Sequence, residues 1–335
     1  MLIEAEELVA PLEDLPPVDF CCAYGSSLLV NPNKESMVDY ILGVSDPLQW
    51  HTENLKRNRG HYASCTAYLG PKPITLVADF IGTGVHFNPF VPWKNKMIKY
   101  GVVRMHDLAC DILTWNRFYL SGRLQKPVSI LVDNFEIRKT NKVNLKAAVS
   151  AALLLLPSEF AEEELYSTIC SLSYMGDLRM IFAEDKHKVK KIVRGSFQSF
   201  QSMYKPFLVE FSMEGLLQSS YNNSQKYFKQ DHGLSATHFL FYSLPSVIQN
   251  KIHQPWVGCN SGSAIVPPAS SARRITIASR EEAAMQTRRA LKRLVMVSSG
   301  RQVMSGLLAA GGFNAIRYLG NKMSKAWKSR VSSYP

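Results

Sequence analysis

The chain has 335 residues, 46% of them hydrophobic and 20% charged, enough to build buried cores and too ordered in composition for a disordered chain. No apolar run reaches the ~20 residues of a membrane-spanning helix; the longest, Ala147–Pro157 and the glycine-diluted Val303–Ile316, fall short. Thirty-nine basic residues against 27 acidic ones give a formal charge of +12, which predicts an anionic partner: nucleic acid, a nucleotide or an acidic lipid surface.

The residues before Asp19 are acidic and carry neither a secretory apolar core nor the Arg/Ser-rich character of a transit peptide. From there to about residue 140 the pattern is mixed α/β. Val18–Tyr24 and Met37–Val44 read as buried strands, and strand-like pieces recur at Ile74–Val77, Gly84–Phe90, Tyr100–Arg104 and Val128–Val132. Asp107–Tyr119 has helical spacing, with Asp107 as candidate N-cap. From about Asn141 helices dominate. Val143–Leu156 is an apolar helix stopped by Pro157, Glu162–Glu164 open the next, and Gly176 ends it. Glu184 and Asp185 are expected to open a basic helix carrying Lys186, Lys188, Lys190 and Lys191. Short helices in this order suggest a helix-turn-helix or winged-helix module. Ser219–His232 and Gly258–Arg274 read as polar loops. After Glu282 no acid occurs, while ten bases from Arg288 to Arg330 alternate with apolar residues. That is a cationic amphipathic tail suited to an anionic bilayer, or else a helix packed on its own domain. The expected organisation is therefore α+β: 1–140, 141–250 (helical), a 251–282 linker and a 283–335 tail.

Six cysteines without a CxxC pair, mostly in apolar stretches, suggest reduced core thiols, and the eight scattered histidines show no metal-ligand spacing. The chemistry is carried elsewhere. Gly25-Ser26-Ser27 follows a predicted strand, and Asp39 lies in the next one. Glycine permits close backbone approach, exposed N–H groups and a serine hydroxyl suit phosphates, and a strand carboxylate suits Mg²⁺. The pattern resembles that of nucleotidyltransferases at large; taken alone, it also describes an ordinary turn and a surface acid. A second acid two residues on, usual in that superfamily, is replaced by Ile41, which leaves Asp46 as the nearest later carboxylate. Gly82-Thr83-Gly84 lacks the third glycine of a dinucleotide fingerprint.

Longer motifs resemble one family more closely. Ala23-Tyr24-Gly25-Ser26, Met37-Val38-Asp39-Tyr40, Gly43-Val44-Ser45-Asp46-Pro47, Trp50-His51 and His61-Tyr62 are similar to the mitochondrial phosphatidate cytidylyltransferases, nearest to plant-type members. So are Lys99-Tyr100-Gly101-Val102, Gly122-Arg123-Leu124-Gln125-Lys126-Pro127, Leu172 to Met180, and Glu184-Asp185-Lys186. Gly306 to Gly311 and Met323 to Trp327 match as well, whereas 213–275 matches poorly.

The resemblance implies a nucleotidyltransferase domain followed by a winged-helix domain. It implies Mg²⁺-dependent conversion of CTP and phosphatidic acid to CDP-diacylglycerol and pyrophosphate, peripherally on the matrix face of the mitochondrial inner membrane. On that basis Tyr24, Gly25, Ser26, Ser27, Lys99 and Lys186 are expected to bind CTP. Arg123, Lys126 and Arg179 are expected to bind substrate phosphate, Asp39 and Asp46 to hold Mg²⁺, and Asp39, Asp46 and Ser26 to serve catalysis. An anionic membrane surface is the expected further partner, with no nucleic acid. Two other readings fit composition alone: a nucleotidyltransferase acting on RNA or a small metabolite, and a non-catalytic membrane-docking assembly factor.

Overall fold

The computed structural model describes residues 5–25, 28, 37–182, 187–222, 225–251 and 277–310. The N-terminal half is built on five strands: β1 (Phe20–Tyr24), β2 (Val38–Val44), β3 (Val85–Trp93), β4 (Lys96–Arg104) and β5 (Ser129–Val132). They lie in the order β3-β4-β2-β1-β5; β2 and β4 run parallel and the other pairs antiparallel, giving a mixed sheet. Helix α1 (Ala5–Val9) precedes the sheet. Between β2 and β3 lie α2 (Pro47–Arg57), α3 (Ser64–Leu69), α4 (Pro71–Leu76) and a π-helical turn, Val77–Ile81. Helices α5 (Met105–Thr114) and α6 (Ser121–Leu124) separate β4 from β5.

Strand periodicity sorts neighbouring residues to opposite faces. Tyr40, Leu42, Tyr100 and Val102 pack with Trp50 of α2 on one face. Tyr24, Ile41, Phe87 and Val103 pack with Leu108 and Ile112 of α5 on the other.

The remaining chain is mainly helical: α7 (Phe135–Leu155), α8 (Glu162–Leu172), α9 (Leu178–Phe182), α10 (Lys188–Gly195), α11 (Phe197–Met213), α12 (Leu234–Tyr242), α13 (Ser246–Lys251) and α14 (Arg280–Ala310). Strands β6 (Glu159–Ala161), β7 (Leu217–Asn222) and β8 (Gln225–Gln230) form a small antiparallel sheet ordered β6-β8-β7. One core joins α7, α8, α11 and α14, and reaches Trp115 and Phe118 at the seam with the first half.

The structure corrects several sequence expectations. Ile74–Val77 is helical, because Pro71 supplies the fixed φ of a first helical turn and four apolar residues do not distinguish helix from strand. Asp107 does not cap α5. It pairs with Arg104 at 2.7 Å, and the helix ends at Trp115, whose φ of 57° is left-handed. Much of Ser219–His232 is the β7–β8 hairpin; its outward residues are polar because they face water, which hides the alternation.

The tail expected from residue 283 begins instead as a core helix, with Ala283, Ala290, Leu291, Leu294 and Val295 buried. Buried Arg280 locks its start by donating to Leu153 O and Gln230 Oε1, both at 2.7 Å. The polar stretch Gly258–Arg274 and the tail beyond residue 310 lie outside the described residues, as do Ser26, Ser27, Glu184, Asp185 and Lys186. Cys21, Cys22 and Cys170 are buried free thiols, as composition suggested.

Candidate active site

Asp39 occupies the second position of β2, opposite Tyr24 on β1 and Lys99 on β4. Their side chains therefore share the face covered by α5. The carboxylate lies 3.5 Å from Lys99 Nζ, and its Oδ1 is buried without a hydrogen-bond partner. That oxygen is the one ion-paired with Lys99, yet it accepts no hydrogen bond, which leaves it capacity for a ligand. Gly25 ends β1 with φ of 107°; a Cβ there would come within 3.0 Å of Asp39 Oδ2. Glycine is thus required both for the turn and for access to the acid.

A ring of cations faces this acid. Arg123 lies 4.6 Å from the ring centres of both Tyr24 and Tyr119, and donates to the Tyr119 hydroxyl at 2.8 Å. Its Nε and the Tyr24 hydroxyl are buried and unpaired. Burial alone would raise the Tyr119 hydroxyl's pKa, but the charges of Arg123, Arg179 and Lys99 outweigh it and hold it below its usual value. Burial likewise opposes the charge on Arg123; Tyr119, Tyr24 and Asp39 overcome it and raise its pKa.

Lys126 donates to Gly122 O and, at 2.6 Å, to Ser173 Oγ, with the Tyr174 ring 4.9 Å away. A Cβ on Gly122 would meet Ser173 Cβ at 2.5 Å, so glycine lets the two segments close. Burial, then repulsion from Arg123, Lys188 and Arg179, lowers the Lys126 ammonium to about 8, against a partial offset from Cys170. Arg179 is oriented by a two-pronged pair with buried Asp177, its NH2 lying 2.6 Å from Oδ2.

The loop that presents Tyr119 and Arg123 is organised by a second buried acid. Asp111 accepts from the N–H groups of Arg117, Phe118, Tyr119, Leu120 and Ser121 at 2.7–3.1 Å. That set accounts for both carboxylate oxygens and marks Asp111 as structural.

The site is thus an acid beside Lys99 and Arg123, with Arg179 acting on Tyr119 and Lys126 and Lys188 on the far side of Arg123, a concentration of positive charge suited to a polyanion. Comparison with known proteins gives the chemistry a context. A family model described as mitochondrial phosphatidate cytidylyltransferase matches residues 8–325. The chain belongs to this family. Curated relatives bearing that name are 35% identical in Xenopus laevis, over 89% of this chain and 86% of the relative. Those of Danio rerio and Bos taurus are 34% and 35% identical, over 93% and 92% of this chain and 92% and 90% of their own.

Of the residues proposed from sequence for a phosphatidate cytidylyltransferase site, the fold brings Tyr24, Gly25, Asp39, Lys99, Arg123, Lys126 and Arg179 together. It does not bring Asp46 to them. That side chain caps α2, accepting from the N–H groups of Leu48 and Gln49 at 2.8 and 3.2 Å. Seven residues of extended chain separate it from Asp39, roughly 20 Å. Among the described residues no three His, Cys, Asp or Glu side chains gather as a metal cage.

Sequence reading missed the roles of Tyr119, Ser173 and Lys188. Lys188 stands in a basic helix read as part of a helix-turn-helix or winged-helix module, and nothing in the motif around Tyr119 announces that its ring will stack on Arg123. The spacing Tyr119–Arg123, one helical turn, was the available signal.

Proposed function

We propose that this chain is a phosphatidate cytidylyltransferase: the phosphate oxygen of phosphatidic acid attacks the α-phosphorus of CTP, the bond to the β-phosphate oxygen breaks, and CDP-diacylglycerol and pyrophosphate form. The observation that carries the reading is buried Asp39 Oδ1, which accepts no hydrogen bond and faces Lys99 and Arg123, within a chain matched along nearly its whole length by the family. A phosphate monoester is already anionic near neutral pH, so the site needs no strong general base. Its task is alignment and charge neutralisation.

Asp39 fits Mg²⁺, which is commonly held by one or two carboxylates together with substrate phosphates and water. When bound, the ion would neutralise charge on the triphosphate. Lys99 and Arg123 hold the nucleotide's phosphates beside Asp39, and Lys126 and Arg179 receive the phosphate of the lipid. Gly25, Ser26 and Ser27 continue the nucleotide cradle, with Lys186 as a further contact. The order of a strand, four helices (α8 to α11) and a hairpin from β6 to β8 supports a winged-helix reading of the second half, behind a nucleotidyltransferase-type first half. The relatives' names say mitochondrial, and among the described residues no helix is long and apolar enough to cross a membrane. Both agree with a peripheral enzyme on the matrix face of the inner membrane.

The test is turnover of labelled CTP with phosphatidate vesicles, with and without Mg²⁺, in the parent and in Asp39→Asn. The expected result is pyrophosphate release that requires the metal and falls about a thousandfold in the variant with its fold intact. A folded variant retaining a tenth of parental activity would overturn the assignment of Asp39.

A further inference from the structure

Between β2 and β3 a short run of chain exposes several large apolar side chains. On α3, Tyr68 is 84% and Leu69 62% exposed; beyond Gly70, Leu76 of α4 is 54% and Phe80 of the π turn 74% exposed. Lys72, Leu76 and Phe80 follow one another at intervals of four, so they share one helical face. The patch continues onto α14. Arg301 donates to the carbonyl oxygens of Phe80, Ile81 and Gly82, and a Cβ on Gly82 would lie 2.9 Å from Ser305 Oγ. On the same stretch of α14, Met304 and Leu308 are exposed as well. Exposed aromatic and aliphatic groups on this scale mark an interaction surface.

Charge indicates the occupant. Lys56, Arg57, Arg59 and Lys72 are all exposed around the patch. Between residues 54 and 81 the single acid, Asp79, is paired with Arg104. Past Ala310, where α14 leaves the patch, the remaining 25 residues carry five bases and no acid. Apolar groups projecting from a cationic rim suit the boundary between acyl chains and anionic headgroups.

We propose that the face formed by α3, α4, the π turn and the end of α14 inserts Tyr68, Leu69, Leu76 and Phe80 into an anionic bilayer, a contact separate from the basic residues beyond α14. This rests on the phosphatidate cytidylyltransferase reading only in making an acidic lipid surface the relevant partner.

The experiment compares the full chain with Leu76→Ser/Phe80→Ser and, as an independent pair on α3, Tyr68→Ser/Leu69→Ser. Sedimentation with phosphatidate-containing and with purely zwitterionic vesicles measures partition. Turnover of a monomeric short-chain phosphatidate, below its aggregation limit, measures the chemistry and reports folding. The expected result is at least tenfold weaker partition onto anionic vesicles in both pairs, little partition of any form onto zwitterionic vesicles, and unchanged short-chain turnover. Partition within twofold of the parent in both pairs overturns the proposal and assigns the patch to a protein or to the chain's own remaining residues. Absence of short-chain turnover in the parent would count against the enzymatic reading alone, because vesicle partition is read separately.

Discussion

The two faces of the five-stranded sheet handle polar groups in opposite ways. Asp39 and Tyr40 are neighbours, as are Lys99 and Tyr100, yet alternation sends each pair to opposite sides. On the α2 side the polar groups are neutral and bonded mainly to one another, although His86 Nδ1 and Asn88 Nδ2 lack a partner: the Tyr62 hydroxyl meets His51 Nδ1 at 2.8 Å and Asn54 Nδ2 at 2.9 Å. The Tyr100 hydroxyl meets Asn54 Nδ2 and His61 Nδ1 at 2.8 and 2.9 Å. On the α5 side the groups are charged, and Asp39, Arg123 and Tyr24 each keep a polar atom unpaired. Polar atoms without hydrogen-bond partners occur on both sides, so it is the charge on the α5 side that suits it to a ligand.

Asp111 puts the sharpest strain on that comparison, because it is a charge on the second side that is nonetheless fully engaged. Asp111→Asn replaces an acceptor of five N–H bonds by an amide whose NH₂ group faces donors. We expect a loss of about 3 kcal/mol in stability. Denaturant unfolding checks it; a loss below about 1 kcal/mol would mean that the loop holds its shape without the charge.

Acid should expose the neutral side. Burial lowers His86 to about 4 and lowers His51 as well. The unfolded chain takes up protons below about 6.5 while the folded chain does not, so stability falls as pH drops from 6.5 towards 4. For His86 alone the full loss approaches about 3 kcal/mol. His86→Gln, which cannot protonate, should flatten the slope over that window. An unchanged slope in urea titrations at pH 6.5, 5.5 and 4.5 would show that His86 is not sealed from water.

On the charged side the response runs the other way. The phosphate-binding role proposed for Lys126 needs its protonated form, and burial, which lowers its pKa to about 8, means that this charge is lost as pH rises through 8. Above that pH, kcat/KM for phosphatidate should fall about tenfold per unit, and Lys126→Arg should move the decline beyond pH 10. Superimposable alkaline limbs would remove Lys126 from substrate binding.

Much of this was legible before folding. The runs ending at Tyr24 and Val44 are strands as read, because a short continuous apolar run is a local signal of a buried strand. Asp39, Gly25, Arg123 and Lys126 were found through local motifs. The convergence of Arg179 and Lys188 on Tyr119 and Lys126 was not legible, since it depends on packing between segments some 60 residues apart in sequence, which no local period encodes. The β7–β8 hairpin escaped for the converse reason: its exposed residues Gln218, Ser219, Ser220 and Asn222 erase the apolar alternation that would have betrayed it.

Asp46 is the smallest test and the most diagnostic of position. By sequence it was the natural companion to Asp39, because it is the next acid along the chain. The structure gives its carboxylate to the first turn of α2, where it satisfies two otherwise orphaned N–H groups at the far end of β2. Removing such a cap costs about 1 kcal/mol, so Asp46→Ala should lower the unfolding midpoint modestly and leave turnover within about twofold of the parent. Asp46→Asn, which can still accept those bonds, should recover most of the stability. A hundredfold loss of turnover in Asp46→Asn would mean that its charge reaches the nucleotide, and that the division between the two ends of β2 does not hold during catalysis.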